Sequence, residues 1–154
     1  MATRVRPKLQ GLYDQDFFVW TEVQAELLRK RRFEALDLPN LIEEVEGLGD
    51  AKKSAMLSNA SVIIEHLLKL QHSPSQDPRR GWADTILNHR DRLEFELTPR
   101  LRQVLEDELP QVYALTRRRT ERRLRLYDED GAADALPATC PYTLGHIMGD
   151  WWPE

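Results

Sequence analysis

The chain has 154 residues, 41% of them hydrophobic and 31% charged, with a net charge of −4 and one cysteine. That length buries roughly 70% of the surface an unfolded chain exposes, enough for one core without covalent staples. Cys140 alone excludes an internal disulfide and a thiolate-rich zinc site, and the longest strongly apolar stretches, residues 17–20 and 61–64, fall far short of the roughly 18 residues that span a bilayer.

A cytoplasmic protein without a membrane partner is therefore expected. Residues 1–10 read as a loose leader, because Arg4, Arg6 and Lys8 are followed by Asp14 and Asp16 rather than by an apolar signal stretch. Phe17, Trp20, Gln24 and Leu28 then share one face of a first helix ending near Arg31, with Asp16 as its cap. After a link through Phe33 and Leu36, Pro39 and Asn40 open a helix of about thirty residues, the expected spine. Its apolar stripe passes through Leu41, Val45, Leu48, Met56, Ile63, Leu67 and Leu70, with Lys52, Ala55, Asn59 and His66 on the same face. Gly47 and Gly49 interrupt it, either loosening a bend or admitting another backbone, and Ser73-Pro74 ends it.

Residues 75–81 read as a loop, and Trp82, Ile86, His89, Leu93 and Leu97 mark a third helix. A short fourth helix is expected from Pro99 to Glu108, with a break at Pro110. A fifth then follows from Gln111 to Tyr127, with Val112, Tyr113, Thr116, Thr120, Leu124 and Tyr127 inward. Residues 128–154 read as an irregular acidic tail with room for one short helix from Thr143 to Met148, and Trp82 and Trp151-Trp152 are expected to anchor against the spine. Charge divides at the same place: residues 1–127 hold 22 basic and 20 acidic side chains, whereas residues 128–154 hold six acidic and none basic. The expected architecture is all-α, a single-domain antiparallel bundle of about five helices around one long central helix.

The strings LYDQDFFVW, LDLPNLIEEVEGLG, HLLKLQHSP, GWADTILNHRDRLE and CPYTLGHIMGDWWPE, in that order over about residues 12–153, resemble the bacterial family catalogued as domain of unknown function 29. The resemblance implies an all-helical fold and a cytoplasmic setting, and it carries no activity, cofactor or catalytic residue. One departure is LEFELTPRLR, where Thr98-Pro99 stands in place of the family's longer loop with a Pro-Ser dipeptide.

Four constellations carry the functional candidates. Lys52, Asn59 and His66 lie on the spine's buried stripe, where His89 and Arg90 of the third helix face them, either as an internal hydrogen-bonded network or as a polar pocket with His66 moving a proton. Glu43, Glu44, Glu46 and Asp50 suit a helix's first turns, and Glu44 with His66 or His89 is a weak cation candidate, since no glutamate has a histidine three residues on. Among Arg117, Arg118, Arg119, Arg122, Arg123 and Arg125, the spacing aligns Arg118, Arg122 and Arg125 as a solvent-facing ridge that either holds phosphates or pairs with the acidic tail. Cys140 and His146, six apart, have the spacing for a nucleophile and its base, but the acidic neighbourhood and Pro141 do nothing to activate the thiol, and they read as packing of the tail.

No phosphate loop, nucleophile elbow, HExxH or paired CxxC occurs, and no metal or cofactor is expected. The leading functional expectation is a non-enzymatic helical module that binds a protein partner. The alternatives are a nucleic-acid-associated protein using the arginine ridge and a metal- or His-assisted hydrolase around His66.

Overall fold

The computed structural model describes residues 11–154, and the expected leader, residues 1–10, lies outside them. Among the described residues there are helices and turns but no strand, the all-α bundle that helical periodicity predicts. The chain forms two compact units, Met1–Ala51 and Lys52–Glu154.

The first unit contains α1 (Leu12–Gln15), α2 (Phe17–Arg29), a 3-10 turn (Phe33–Ala35) and the opening of α3 (Leu38–His72). Asp16 caps α2 as expected, its carboxylate accepting the Val19 N–H at 3.0 Å. The other end of α2 closes on Arg31, a left-handed residue with φ of 55°. There the Arg31 and Arg32 N–H groups reach the Leu28 and Leu27 carbonyls at 3.0 and 2.9 Å, the Schellman pattern. Asp37 then ties the returning chain to α2: its N–H donates to Gln24, and its carboxylate accepts from the Trp20 indole at 3.0 Å and from Asn40 at 2.8 Å. The Tyr13 hydroxyl donates to Glu44 at 2.5 Å. Only Leu12, Trp20 and Gln24 are buried among the described residues of this unit.

The spine runs 35 residues without interruption through Gly47 and Gly49, and a Cβ on either would meet nothing within 4 Å. Among the described residues no neighbouring backbone uses the room these glycines leave. Gly47→Ala and Gly49→Ala are each expected to stabilise the helix by about 1 kcal/mol, read as a higher urea midpoint.

In the second unit α3 ends at Ser73-Pro74, where the Arg79 guanidinium donates to the Leu70 carbonyl at 2.7 Å and closes the helix. Next come α4 (Arg79–Glu96) and, after a two-residue link in which Thr98 caps and Pro99 opens the helix, α5 (Pro99–Leu126). Short links make successive helices antiparallel, so α3 and α5 run the same way. Lys53 meets Glu108, and Ser61 meets Thr116, each pair 55 residues apart.

The break expected at Pro110 is absent: α5 is a single helix of 28 residues with this proline inside it. Pro110 and Glu106 are both exposed, so the proline and the residue whose carbonyl it leaves without an N–H lie on the solvent face of the helix. Leu105, Leu109, Val112 and Tyr113 are buried on either side. Burying four such side chains at about 1.5–3 kcal/mol each outweighs the roughly 3 kcal/mol cost of an interior proline.

The core combines Ile63, Ile64, Leu67 and Leu68 of α3, Ile86 and Leu93 of α4, and Leu105, Leu109 and Tyr113 of α5. Residues 128–154 fold onto it through α6 (Asp130–Asp134) and α7 (Leu144–Met148), burying Ala133, Leu136, Tyr142 and Ile147. The Tyr113 hydroxyl donates to the Pro137 carbonyl at 2.6 Å, and that of Tyr142 to Gln71. Several residues expected inside are not: Lys52, Ala55, Val45 and Leu48 are exposed, and Tyr127 is 75% exposed because α5 stops there and the chain turns away.

Candidate functional site

The polar residues expected to converge on the spine are dispersed. Lys52 is exposed, and Glu44 accepts from Tyr13 in the first unit. Asn59 and His89 do meet: Asn59 Oδ1 accepts from His89 Nδ1 at 2.7 Å. His66 uses its Nδ1 on the Val62 carbonyl one turn earlier, at 2.9 Å. Burial lowers both histidine pKa values, which favours neutral rings; nearby Arg92 and His66 push His89 the same way. Among the described residues no group of three or more His, Cys, Asp or Glu side chains could hold a metal.

Arg90 is buried and faces the tail. Its Nε donates to the Ile147 carbonyl at 2.9 Å and its Nη2 to those of His146 and Trp151 at 2.8 and 2.7 Å, while the Trp152 ring lies 4.8 Å from Cζ. His146 accepts the Thr143 N–H and packs against Trp151 with the rings tilted by 47°, so its ring caps α7 and makes no bond to Cys140, whose thiol pKa burial pushes up.

The arginine cluster divides by depth. Arg118 and Arg122 are exposed and form no ion pair among the described residues. Arg125 bonds Glu121, Asp130 and Asp134, and Arg117 donates to the Leu136 and Pro137 carbonyls, so part of the cluster does engage the tail. Arg119 and Arg123 turn toward α3, where they converge with Lys69 on Glu65.

Glu65 is 2% exposed and was not foreseen as a site residue. Lys69 reaches one of its oxygens at 2.8 Å, Arg123 bonds that same oxygen, and Arg119 reaches the other at 3.3 Å. Burial raises the carboxyl pKa, but the Lys69 and Arg123 bonds and charges outweigh burial and hold it below the usual value. Three cations around one carboxylate leave an excess of two positive charges. The sequence signal was the Glu65–Lys69 pair at i,i+4 inside the densest apolar stretch of the spine.

Two of these cations, Lys69 and Arg123, border a pocket of about 430 Å3. Lys69 and Arg123 form one wall, Trp82 and Tyr127 supply aromatic surfaces, and Ser75 and Glu129 close another side. The Lys69 ammonium stands 5.9 Å from the Trp82 ring centre. The end of α5 sets the last wall: Asp128 is left-handed with φ of 60°, and the Glu129 N–H returns to the Leu124 carbonyl at 2.9 Å, a second Schellman closure. Glu129 then accepts the Ser75 hydroxyl at 2.5 Å through Oε1, and its Oε2 is buried with no partner among the described residues.

A second feature lies within the first unit. Phe17, Trp20 and Leu28 of α2 and Leu41, Val45 and Leu48 of α3 line an open groove of about 310 Å3. The spacing on each helix is that of an apolar seam made to meet another helix.

A family model described as Domain of unknown function DUF29 matches residues 12–152. The chain belongs to this family. No curated protein and no solved structure matches it. In this DUF29 protein the matched span includes both the Glu65 cluster with its pocket and the apolar groove of the first unit.

Proposed function

We propose that the protein is a non-enzymatic interaction module of the bacterial cytoplasm, which assembles with a second copy of itself through its first unit. The observation that carries this reading is the open groove between α2 and α3, in a unit with three buried residues among those described. A unit of 51 residues, Met1–Ala51, buries little apolar surface alone and is marginal without a partner. Phe17, Leu28, Val45 and Leu48 stand 43–71% exposed along it. The free Cys140 thiol is compatible with a reducing compartment.

Charge favours a second copy over an unrelated partner. Residues 29–32 read RKRR, and α3 carries Glu43, Glu44, Glu46 and Asp50. Among the described residues Arg29 and Lys30 pair with Glu26, Arg32 pairs with Glu34, and the acidic stretch of α3 forms no ion pair. A two-fold interface must complement itself. A surface with a basic end whose four cations outnumber the carboxylates of Glu26 and Glu34, and with an acidic stretch that forms no ion pair among the described residues, meets that condition when the copies are set basic end against acidic stretch.

Light scattering on the full chain is expected to give twice the 18.0 kDa chain mass, falling to one chain mass in V45E/L48E with helicity retained, since both residues are exposed. High salt weakens the dimer. A single-chain mass for the wild type overturns the reading. So does a dimer unaffected by the double substitution, or a dimer that appears only after removal of residues 1–10, which would make that segment the groove's occupant.

A further inference from the structure

We propose that the groove between α3 and α5 in the second unit binds an acidic amphipathic helix of a partner protein. This site does not rest on the dimer reading, whose residues lie in the other unit. The groove measures about 480 Å3. α5 lines it with Glu108, Gln111, Val112, Leu115, Thr116 and Arg119, at i, i+3, i+4, i+7, i+8 and i+11, the spacing of a seam that meets another helix. α3 adds Leu57 and Val62, so the floor is aliphatic. The polar groups within it are answered internally: the Ser61 and Thr116 hydroxyls meet at 2.7 Å, and Arg119 Nη2 donates to Ser61 at 2.8 Å. What the groove offers a partner is therefore packing along its floor and charge along its rim.

That charge is positive. Glu108 at one end is paired with Lys53, whereas Arg119 at the other shares the single Glu65 carboxylate with Lys69 and Arg123. Arg118 and Arg122 follow Leu115 at i+3 and i+7, are exposed, and form no ion pair among the described residues. Arg125 is instead taken up by Glu121, Asp130 and Asp134. Leu126, at i+11 from Leu115, ends the row, and the two leucines are 58% and 77% exposed. The row Leu115, Arg118, Arg122, Leu126 covers three turns, about 16 Å, and complements a helix that sets carboxylates between apolar side chains. The charge rules out residues 1–10 as the occupant, since Arg4, Arg6 and Lys8 would face arginines. A nucleic-acid strand fits poorly, because no aromatic ring lines the groove to stack a base.

The test is fluorescence anisotropy of the full chain with a labelled synthetic helix of about three heptads, leucine along one face and glutamate flanking it. The same peptide with lysine for glutamate, and oligouridylate RNA, serve as comparisons. The glutamate peptide is expected to bind at least about tenfold more tightly than either, and less tightly as salt rises. R118E/R122E and Leu115→Ser are each expected to weaken it by about tenfold while melting within a few degrees of the wild type, because all three positions are exposed. R100E/R102E, exposed on the first turn of α5 and outside the row, is expected to leave binding unchanged. The proposal is overturned if the glutamate peptide does not bind, if the lysine peptide binds as well, or if folded R118E/R122E and L115S bind like the wild type. It is equally overturned if the RNA binds more tightly and displaces the peptide, or if R118E/R122E splits a wild-type dimer, which would make a second copy the occupant. V45E/L48E is expected to bind the peptide normally, so failure of the first-unit dimer and failure of this site are told apart.

Discussion

Replacing Glu65 with Ala is expected to destabilise the second unit by about 3–5 kcal/mol, because removing one partner of a buried ion cluster leaves the others uncompensated. The side chain is 3% exposed, so solvent screens it little. Its loss strands Lys69, whose side chain is only 15% exposed, while Arg119 and Arg123, about half exposed, swing toward water. Urea unfolding monitored by circular dichroism measures the loss. A Glu65→Ala chain with an unchanged midpoint would show that the cluster contributes nothing net.

The same carboxylate predicts a pH dependence. Its folded-state pKa is held below the ordinary value of 4.5, so the unfolded chain takes up this proton first as pH falls. The contribution is therefore fully present above about 4.5 and is lost as pH drops through the lower folded value. Glu65→Gln removes that titration and should flatten the acid limb of stability against pH, compared with the wild type.

The second large effect belongs to Arg90, which is 6% exposed and bonds three tail carbonyls. Arg90→Met is expected to cost about 3 kcal/mol, since hydrogen bonds from a charged donor contribute roughly 1.5–3 kcal/mol each and those carbonyls lose their donors together. Trp151 and Trp152 should then fluoresce further to the red, and protease should cut the C-terminal segment faster. Arg90→Lys should not restore the wild type, because an ammonium is a compact donor where the guanidinium fork spans three carbonyls in a fixed plane. Full rescue by lysine would mean that charge alone, not the fork, holds the tail.

Local chemistry made much of the scaffold readable. Asp16 before FFVW, Ser73-Pro74 after the spine, and Thr98-Pro99 before α5 are boundary signals whose cause lies within a few residues, and the structure places helix ends at all three. Pro110 was misread because the local penalty of an interior proline is real, while the burial that overrides it comes from Leu105, Leu109 and Tyr113 packing on other helices. Of the polar set, Asn59 with His89 was readable from helical spacing, whereas Arg90's carbonyl partners lie 56 to 61 residues away in sequence.

By itself the sequence determined an all-α fold, a spine bounded at Pro39 and Pro74, and a tail of opposite charge to the arginine helix, since period, caps and composition act over one or two turns. The tertiary structure decided that Glu65 would be buried among three cations, that Trp82 and Tyr127 would stand beside Arg123, and that Val45 and Leu48 would be left uncovered. Those outcomes depend on which helices pack side by side and on what they leave exposed. The free energy that settles it is summed over contacts between residues far apart in the chain, which no local pattern records.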